Sequence, residues 1–314
     1  MTLALLCSGQ GTQHAGMFRV TAALPAAQPL FAFAATLLGR DPRALVIDGT
    51  HDLFENRTAQ VLCTLQALAA HAALRDALPR RLCLAGYSVG EVAAWGVAGV
   101  WNPETTLALA AARADAMSAA AKTAGAGLQG MLFVRGLAAP CIARLCEGRD
   151  AAPAIVNPGD AYVIGGTRAA LGLIADEATR AGAANVAGID VAVASHTRFM
   201  AGAAGVFATR LLAAPRAARL APGVRLISGI DGAAVLDLDA GIVKLSQQVE
   251  QTIHWDACLQ ACVEAGATAF LELGPGRALA AMAASSHSGI PARSLDEFDD
   301  LADVLTWLAR VSRA

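Results

Sequence analysis

The chain has 314 residues, 55% of them apolar and 16% charged, which supports a sizeable core and excludes a disordered protein. Its 24 Lys and Arg nearly balance 26 Asp and Glu, for a net charge of -2. That leaves no global attraction to nucleic acid or to an anionic membrane, so any use of positive charge must be local.

Length beyond a typical single domain points to one large domain with a smaller one inserted or appended. Leu3–Cys7 is a continuous apolar run ending at Gly9-Gln10-Gly11, as a buried strand followed by a tight loop would be. The N-terminus lacks a basic leader, and no uncharged apolar stretch reaches the roughly 18 residues of a membrane span, so the expectation is a cytoplasmic protein without membrane contact. Helical text covers Thr58–Leu78. Leu82–Ala85 is a second buried strand, Glu91–Gly99 a helix, and Pro103 opens an alanine-rich helix to about Lys122. Gly125, Gly127 and Gly130 then break the chain. Shorter elements follow: strand Met131–Val134, helix Pro140–Glu147, strands Ala154–Val156 and Tyr162–Ile164, helix Arg168–Ala181, strand Asn185–Val191. This βαββαβ order is that of a small ferredoxin-like unit. Helix Thr197–Leu212 and strands Arg225–Ser228 and Ala269–Leu273 resume the larger rhythm, the last strand closed by Gly274-Pro275-Gly276. The fold class is therefore α/β, with a mostly parallel sheet formed by residues 1–125 and 193–314 and a ferredoxin-like subdomain at 126–192. The seven cysteines form no CxxC pair. Near Cys258 and Cys262 no histidine pair completes a metal site, so buried thiols and no metal are expected.

Gly86-Tyr87-Ser88-Val89-Gly90 lies between a strand and a helix, the context in which G-x-S-x-G forms a nucleophile elbow. A sharp turn there strains the serine and requires small neighbours two residues to either side. The helix N-terminus offers unpaired N–H groups, so the Val89 N–H can face a developing oxyanion. Serine needs a base. His51 and His71 lie in polar or helical surface text and are expected to be solvated. His196 follows Val191–Ala194 and opens a helix, where the helix N-terminus would keep the imidazole neutral. His287, in an expected exposed loop, is its rival, since α/β-hydrolases place the histidine late in the chain. Arg113 stands in an otherwise apolar helical stretch 25 positions after Ser88, where it must find a partner or snorkel to solvent.

Four runs in this order, Ser8-Gly9-Gln10-Gly11-Thr12-Gln13, Gly86–Glu91, Ser195-His196 and Leu273–Gly276, resemble the landmarks of malonyl-CoA:acyl carrier protein transacylases along essentially the whole chain. That family's fold is a hydrolase-like α/β core with an inserted ferredoxin-like subdomain. The resemblance implies that Ser88 is the nucleophile and His196 the base. It implies that Gln10 completes the oxyanion hole beside the Val89 N–H. It implies that a backbone carbonyl, here that of Gln248, orients His196, and that Arg113 clamps the free carboxylate of a malonyl group. Malonyl-CoA would be the substrate and an acyl carrier protein the partner, with no tightly bound cofactor. A basic docking patch is expected for the carrier, and Arg210, Arg216, Arg219 and Arg225 form the densest cluster.

Three departures stand out. Tyr87 replaces a histidine usual in fatty-acid synthesis, Ser8 replaces a proline, and Asn157-Pro158-Gly159-Asp160-Ala161 lacks the glutamine of the family's run while keeping Asn157. Gly-Tyr-Ser-Val-Gly-Glu with Trp95 is most similar to the epsilon subunit of malonate decarboxylases, which charges a dedicated carrier subunit. Alternatives are a transacylase of fatty-acid or polyketide synthesis, a serine hydrolase using His287, and a non-catalytic assembly subunit.

Overall fold

A computed structural model describes residues 1–49, 51–123, 128–189, 191 and 193–313, with residues 51 and 52 described in backbone only. Ten strands are present among them: β1 Thr2–Cys7, β2 Arg81–Gly86, β3 Gln129–Arg135, β4 Ala151–Asn157, β5 Ala161–Thr167, β6 Asn185–Ile189, β7 Val224–Leu226, β8 Ile253–His254, β9 Ala269–Glu272 and β10 Ala292–Ser294. They form two five-stranded sheets.

The first sheet has the order β10-β9-β1-β2-β7, and every neighbouring pair is parallel. β1 is buried from Leu3 to Cys7 because helices or the second sheet cover both of its faces, which is why it reads as an unbroken apolar run. Side chains alternate between the two faces. Leu3, Leu5, Cys7 and Leu84 pack in a core shared with the helices Asn56–Leu74, Gly90–Val97 and Pro103–Thr123. Ala4, Leu6, Cys83 and Ala85 face the helices Trp255–Glu264 and Ala278–Ser286 and touch the second sheet through Met131, Ile155 and Val163.

The second sheet has the order β6-β3-β5-β4-β8. Its first four strands are antiparallel and enclose the helices Ala139–Cys146 and Arg168–Arg180, the βαββαβ order expected from the sequence. One strand of this sheet was not expected. β8 joins parallel to β4 from the chain after residue 193, so the second sheet is not made by 126–192 alone. The expected boundaries at 125/126 and 192/193, and the breaks at Gly125 and Gly127, fall on residues outside those described. The mixed α/β architecture itself agrees with the sequence reading.

Other expectations are corrected. The helix expected over 197–212 is a short 3-10 turn, Arg198–Met200, followed by a helix Ala203–Ala213. Gly202, at φ 89°, separates them. β6 stops at Ile189 rather than Val191, and Val191, Val193 and Ala194 belong to no strand. His71 is half-buried in the helix Asn56–Leu74, and burial lowers its pKa; the exposure expected of His51 lies outside what is described. His287 ends the helix Ala278–Ser286 rather than lying in an open loop. Among the described residues no helix is long and apolar enough to cross a membrane, and no cluster of three His, Cys, Asp or Glu could hold a metal ion.

Candidate active site

Because β9, β1 and β2 are adjacent and parallel, the loops that follow them emerge side by side at the carboxyl end of the sheet. Those loops are Ser8–Gln13, Tyr87–Gly90 and Leu273–Gly276, three of the four sequence landmarks. Open α/β sheets collect ligand sites at this end. Thr12 Oγ1 donates to the Pro275 carbonyl at 2.8 Å and ties two of the loops together.

Ser88 sits in the turn between β2 and the helix Gly90–Val97 at φ 57°, a left-handed conformation rare for a residue with a Cβ. The turn closes only because its flanks are glycine. A Cβ at Gly86 would run into the Gly90 backbone, and one at Gly90 into the Cys7 carbonyl of β1. The Val89 N–H at the start of the helix has no acceptor among the described residues, leaving it available to a ligand oxygen.

His196 is brought to Ser88 across 108 positions, with Nε2 2.9 Å from Ser88 Oγ. Its Nδ1 lies 2.5 Å from the Gln248 carbonyl, which can only accept, so Nδ1 carries the proton and Nε2 presents its lone pair to the serine hydroxyl. The backbone N–H of His196 donates to the Val249 carbonyl at 2.9 Å, fixing the residue in its own left-handed conformation at φ 61°. Its pKa is lowered to about 3, first by burial and then by the Arg113 charge. The helix N-terminus invoked from the sequence is not the cause, since the short turn begins only at Arg198. His287 instead stacks on Phe270, ring centroids 6.2 Å apart, while the hydroxyl of Ser88 meets His196.

Arg113 does not snorkel. It is 1% exposed in the helix Pro103–Thr123 and reaches the serine from below. Nη1 donates to Gln60 Oε1 at 2.8 Å, and Nη2 to Gln248 Oε1 at 2.9 Å and to Ser88 Oγ at 3.4 Å. Nε has no partner among the described residues. Burial lowers its pKa to about 10 while the Glu91 charge opposes that shift, so the group stays cationic near neutrality. A buried guanidinium held only by neutral oxygens, one of them the Ser88 hydroxyl, is suited to an anionic group placed beside that hydroxyl.

Gln10 is half-buried and lines, with Tyr87, Ser88, Ser195 and His196, a cavity of about 80 Å³. A wider groove of about 520 Å³ continues from it past Gln10, Tyr87, Phe133, Asn157 and Met282, between the two sheets. Asn157 ends β4, buried, with Oδ1 unpaired among the described residues, and it faces the Tyr87 hydroxyl. Tyr87 packs edge-on against Trp255. Trp95 lies away from the site, fully buried and stacked on Trp101. Of the arginine cluster, Arg216 pairs with Asp239, and Arg225 sits on β7 opposite Cys83, before the end of the sheet where Ser88 lies. Two residues of the network were missed in the sequence. Gln60 is a polar side chain in a helix stretch of Val61, Leu62 and Cys63, and that contrast was its only signal. Glu91 was quoted as part of the serine motif without a role.

Comparison with known proteins shows the family. The model of the acyl transferase domain matches residues 4–290. A malonyl CoA-acyl carrier protein transacylase of Mycobacterium bovis is 33% identical over 313 residues, covering 96% of this chain and all of the relative. The crystal structure of a transacylase from Mycobacterium tuberculosis superposes with a TM-score of 0.88 at 32% identity, covering 98% of this chain and 100% of that one. A structure of a type II polyketide acyl-carrier protein in complex with its malonyl-transacylase gives a TM-score of 0.88 at 26% identity, with 99% and 100% covered. Landmark loops on adjacent parallel strands, a serine in a strained elbow and a match over residues 4–290 together make this chain a member of the acyl transferase domain family.

Proposed function

We propose that the protein moves a malonyl group from CoA to the thiol of an acyl carrier protein through a malonyl ester of Ser88. One observation carries the choice of acyl group: Arg113, buried, places Nη2 3.4 Å from Ser88 Oγ. A neutral acetyl group there would leave the guanidinium without an anionic partner, whereas a malonyl carboxylate supplies one.

In the first half-reaction the Ser88 hydroxyl gives its proton to His196 Nε2 as Oγ attacks the thioester carbon. The Gln248 carbonyl stabilises the imidazolium through Nδ1–H. The oxyanion of the tetrahedral intermediate lies against the Val89 N–H and the Gln10 amide. The C–S bond then breaks, and the departing CoA thiolate takes the proton from His196. A carrier thiol repeats the sequence in reverse, giving its proton to His196 and leaving Ser88 free. The groove lined by Phe133, Asn157 and Met282 gives the thioester arm its path between the sheets.

Within this family we assign the chain to the malonate decarboxylase setting, as the epsilon subunit, on Tyr87 in place of histidine together with Trp95. The compared relatives are named as transacylases, and one structure pairs such an enzyme with a polyketide carrier. Incubating the protein with malonyl-CoA and each of two carriers tests both levels. Transfer to either carrier supports malonyl transfer, and preference for a malonate decarboxylase carrier subunit over a fatty-acid carrier supports the narrower setting. Carrier-independent release of malonate would instead show a hydrolase.

A further inference from the structure

The side-chain amide of Gln248 is fully buried between two groups of opposite hydrogen-bonding character. At one end Arg113 offers only donors, and Nη2 meets Gln248 Oε1 at 2.9 Å. At the other end Gln248 Nε2 donates to Glu91 Oε2 at 2.7 Å and to the Ser88 carbonyl at 3.0 Å. An amide's two ends are nearly equal in shape, so its neighbours decide which way it faces. The Ser88 carbonyl already accepts the Glu91 N–H, and the Glu91 carboxylate is the side-chain acceptor at this end and takes the shorter bond.

Glu91 is itself held. It is 1% exposed in the first turn of the helix Gly90–Val97, and its Oε2 also accepts the Gly229 N–H at 3.1 Å. A Cβ at position 229 would stand 2.6 Å from that oxygen, so glycine there leaves the carboxylate its place. The same residue whose amide is pinned supplies the carbonyl that orients His196.

We propose that Glu91 is a positioning residue of the acyl-transfer site: it fixes the Gln248 amide in the one orientation that gives Arg113 an acceptor, and so keeps the guanidinium aimed at the carboxylate carried on Ser88. The proposal deepens the malonyl reading and rests on it. If the amide turned over, its NH₂ would face guanidinium donors and two buried donors would lose their partners. What matters is an acceptor oxygen at this place, not its charge. Burial raises the Glu91 pKa to about 7, and a protonated carboxyl still keeps an acceptor oxygen.

The test compares Glu91→Leu, Glu91→Gln and Gln248→Met, measuring kcat/KM for formation of the acyl-enzyme from malonyl-CoA and from acetyl-CoA. Glu91→Leu should lower the malonyl value by about tenfold to a hundredfold, chiefly through KM, and the acetyl value by less than about threefold. Glu91→Gln should stay within about threefold for both, because its amide oxygen can take both bonds of Oε2. Gln248→Met should shift the malonyl-to-acetyl ratio as Glu91→Leu does, and the double variant should be no worse than either. An unchanged ratio in folded Glu91→Leu overturns the proposal, as does Glu91→Gln as damaged as Glu91→Leu. Should Glu91→Leu fail to fold, an unchanged ratio in Gln248→Met overturns it. Absence of malonyl preference in the unsubstituted protein would also remove the proposal, but it is recognisable as failure of the malonyl reading because it is seen before any substitution.

Discussion

Replacing Arg113 by alanine should convert a malonyl-selective site into one indifferent to the acyl group. The guanidinium is 1% exposed, and in the free protein its partners are the neutral oxygens of Gln60, Gln248 and Ser88. A hydrogen bond to a charged group contributes about 1.5–3 kcal/mol, so a two-pronged grip on a carboxylate is worth about 3–6 kcal/mol before its costs. Arg113 must loosen existing bonds to make it, which places the net near the lower end. At about 1.4 kcal/mol per tenfold, the malonyl kcat/KM should fall by about 10²–10³. The acetyl value should hold or rise, since acetyl never offered the guanidinium a partner. The substitution also strands the Gln60 and Gln248 carbonyl oxygens, at about 1–3 kcal/mol each in stability. That loss burdens both substrates equally, so the ratio of the two rates of acyl-enzyme formation, followed by rapid quench, isolates the carboxylate grip. A ratio that does not move in folded protein would refute the reasoning.

Three further outcomes follow from the same geometry. Since His196 is held at about 3, its lone pair is available throughout the neutral and mildly acidic range, and kcat/KM for acylation should show no acid limb near the ordinary imidazole pKa; a limb at about 6.5 would contradict the burial argument. Glu272, buried and accepting from Ser8 Oγ and the Ala280 N–H, has its pKa raised from 4.5 to about 7, chiefly by burial. Between those values the folded protein keeps a proton that the unfolded chain has lost, so stability from this group is present at low pH and declines as pH rises through 7, by up to about 3 kcal/mol. Urea midpoints of Glu272→Gln should therefore vary less between pH 5 and pH 8 than those of the parent, and an equal variation would remove Glu272 as the source. Gly90→Ala drives a Cβ into the Cys7 carbonyl, and circular dichroism should show loss of the fold; a folded, active variant would mean the elbow has room for a methyl group beside β1.

Much of the fold was legible because its signals are local. β1 and β2 read as apolar runs since both faces are covered, and the βαββαβ order is written in short alternating segments. β8 and β10 were not legible. With two and three residues they are too short to show a period and become strands only by lying beside β4 and β9. In the site, Ser88 announced itself through glycines that serve one steric purpose. The structure brings His196 to Ser88, as expected, but the reason for its neutral imidazole differs: His196 owes its depressed pKa to burial and Arg113, which no local pattern around 196 discloses. Arg113 was conspicuous as a charge among alanines, but its partners Gln60 and Gln248 lie 53 and 135 positions away, and only the packed chain brings them together.

Intact-mass analysis after brief exposure to malonyl-CoA, without carrier, tests the central claim most directly. The protein should gain one malonyl group on the peptide containing Ser88, Ser88→Ala should gain none, and added carrier thiol should discharge the adduct onto the carrier. No adduct, an adduct on another residue, or malonate released with no need of a carrier would contradict the account.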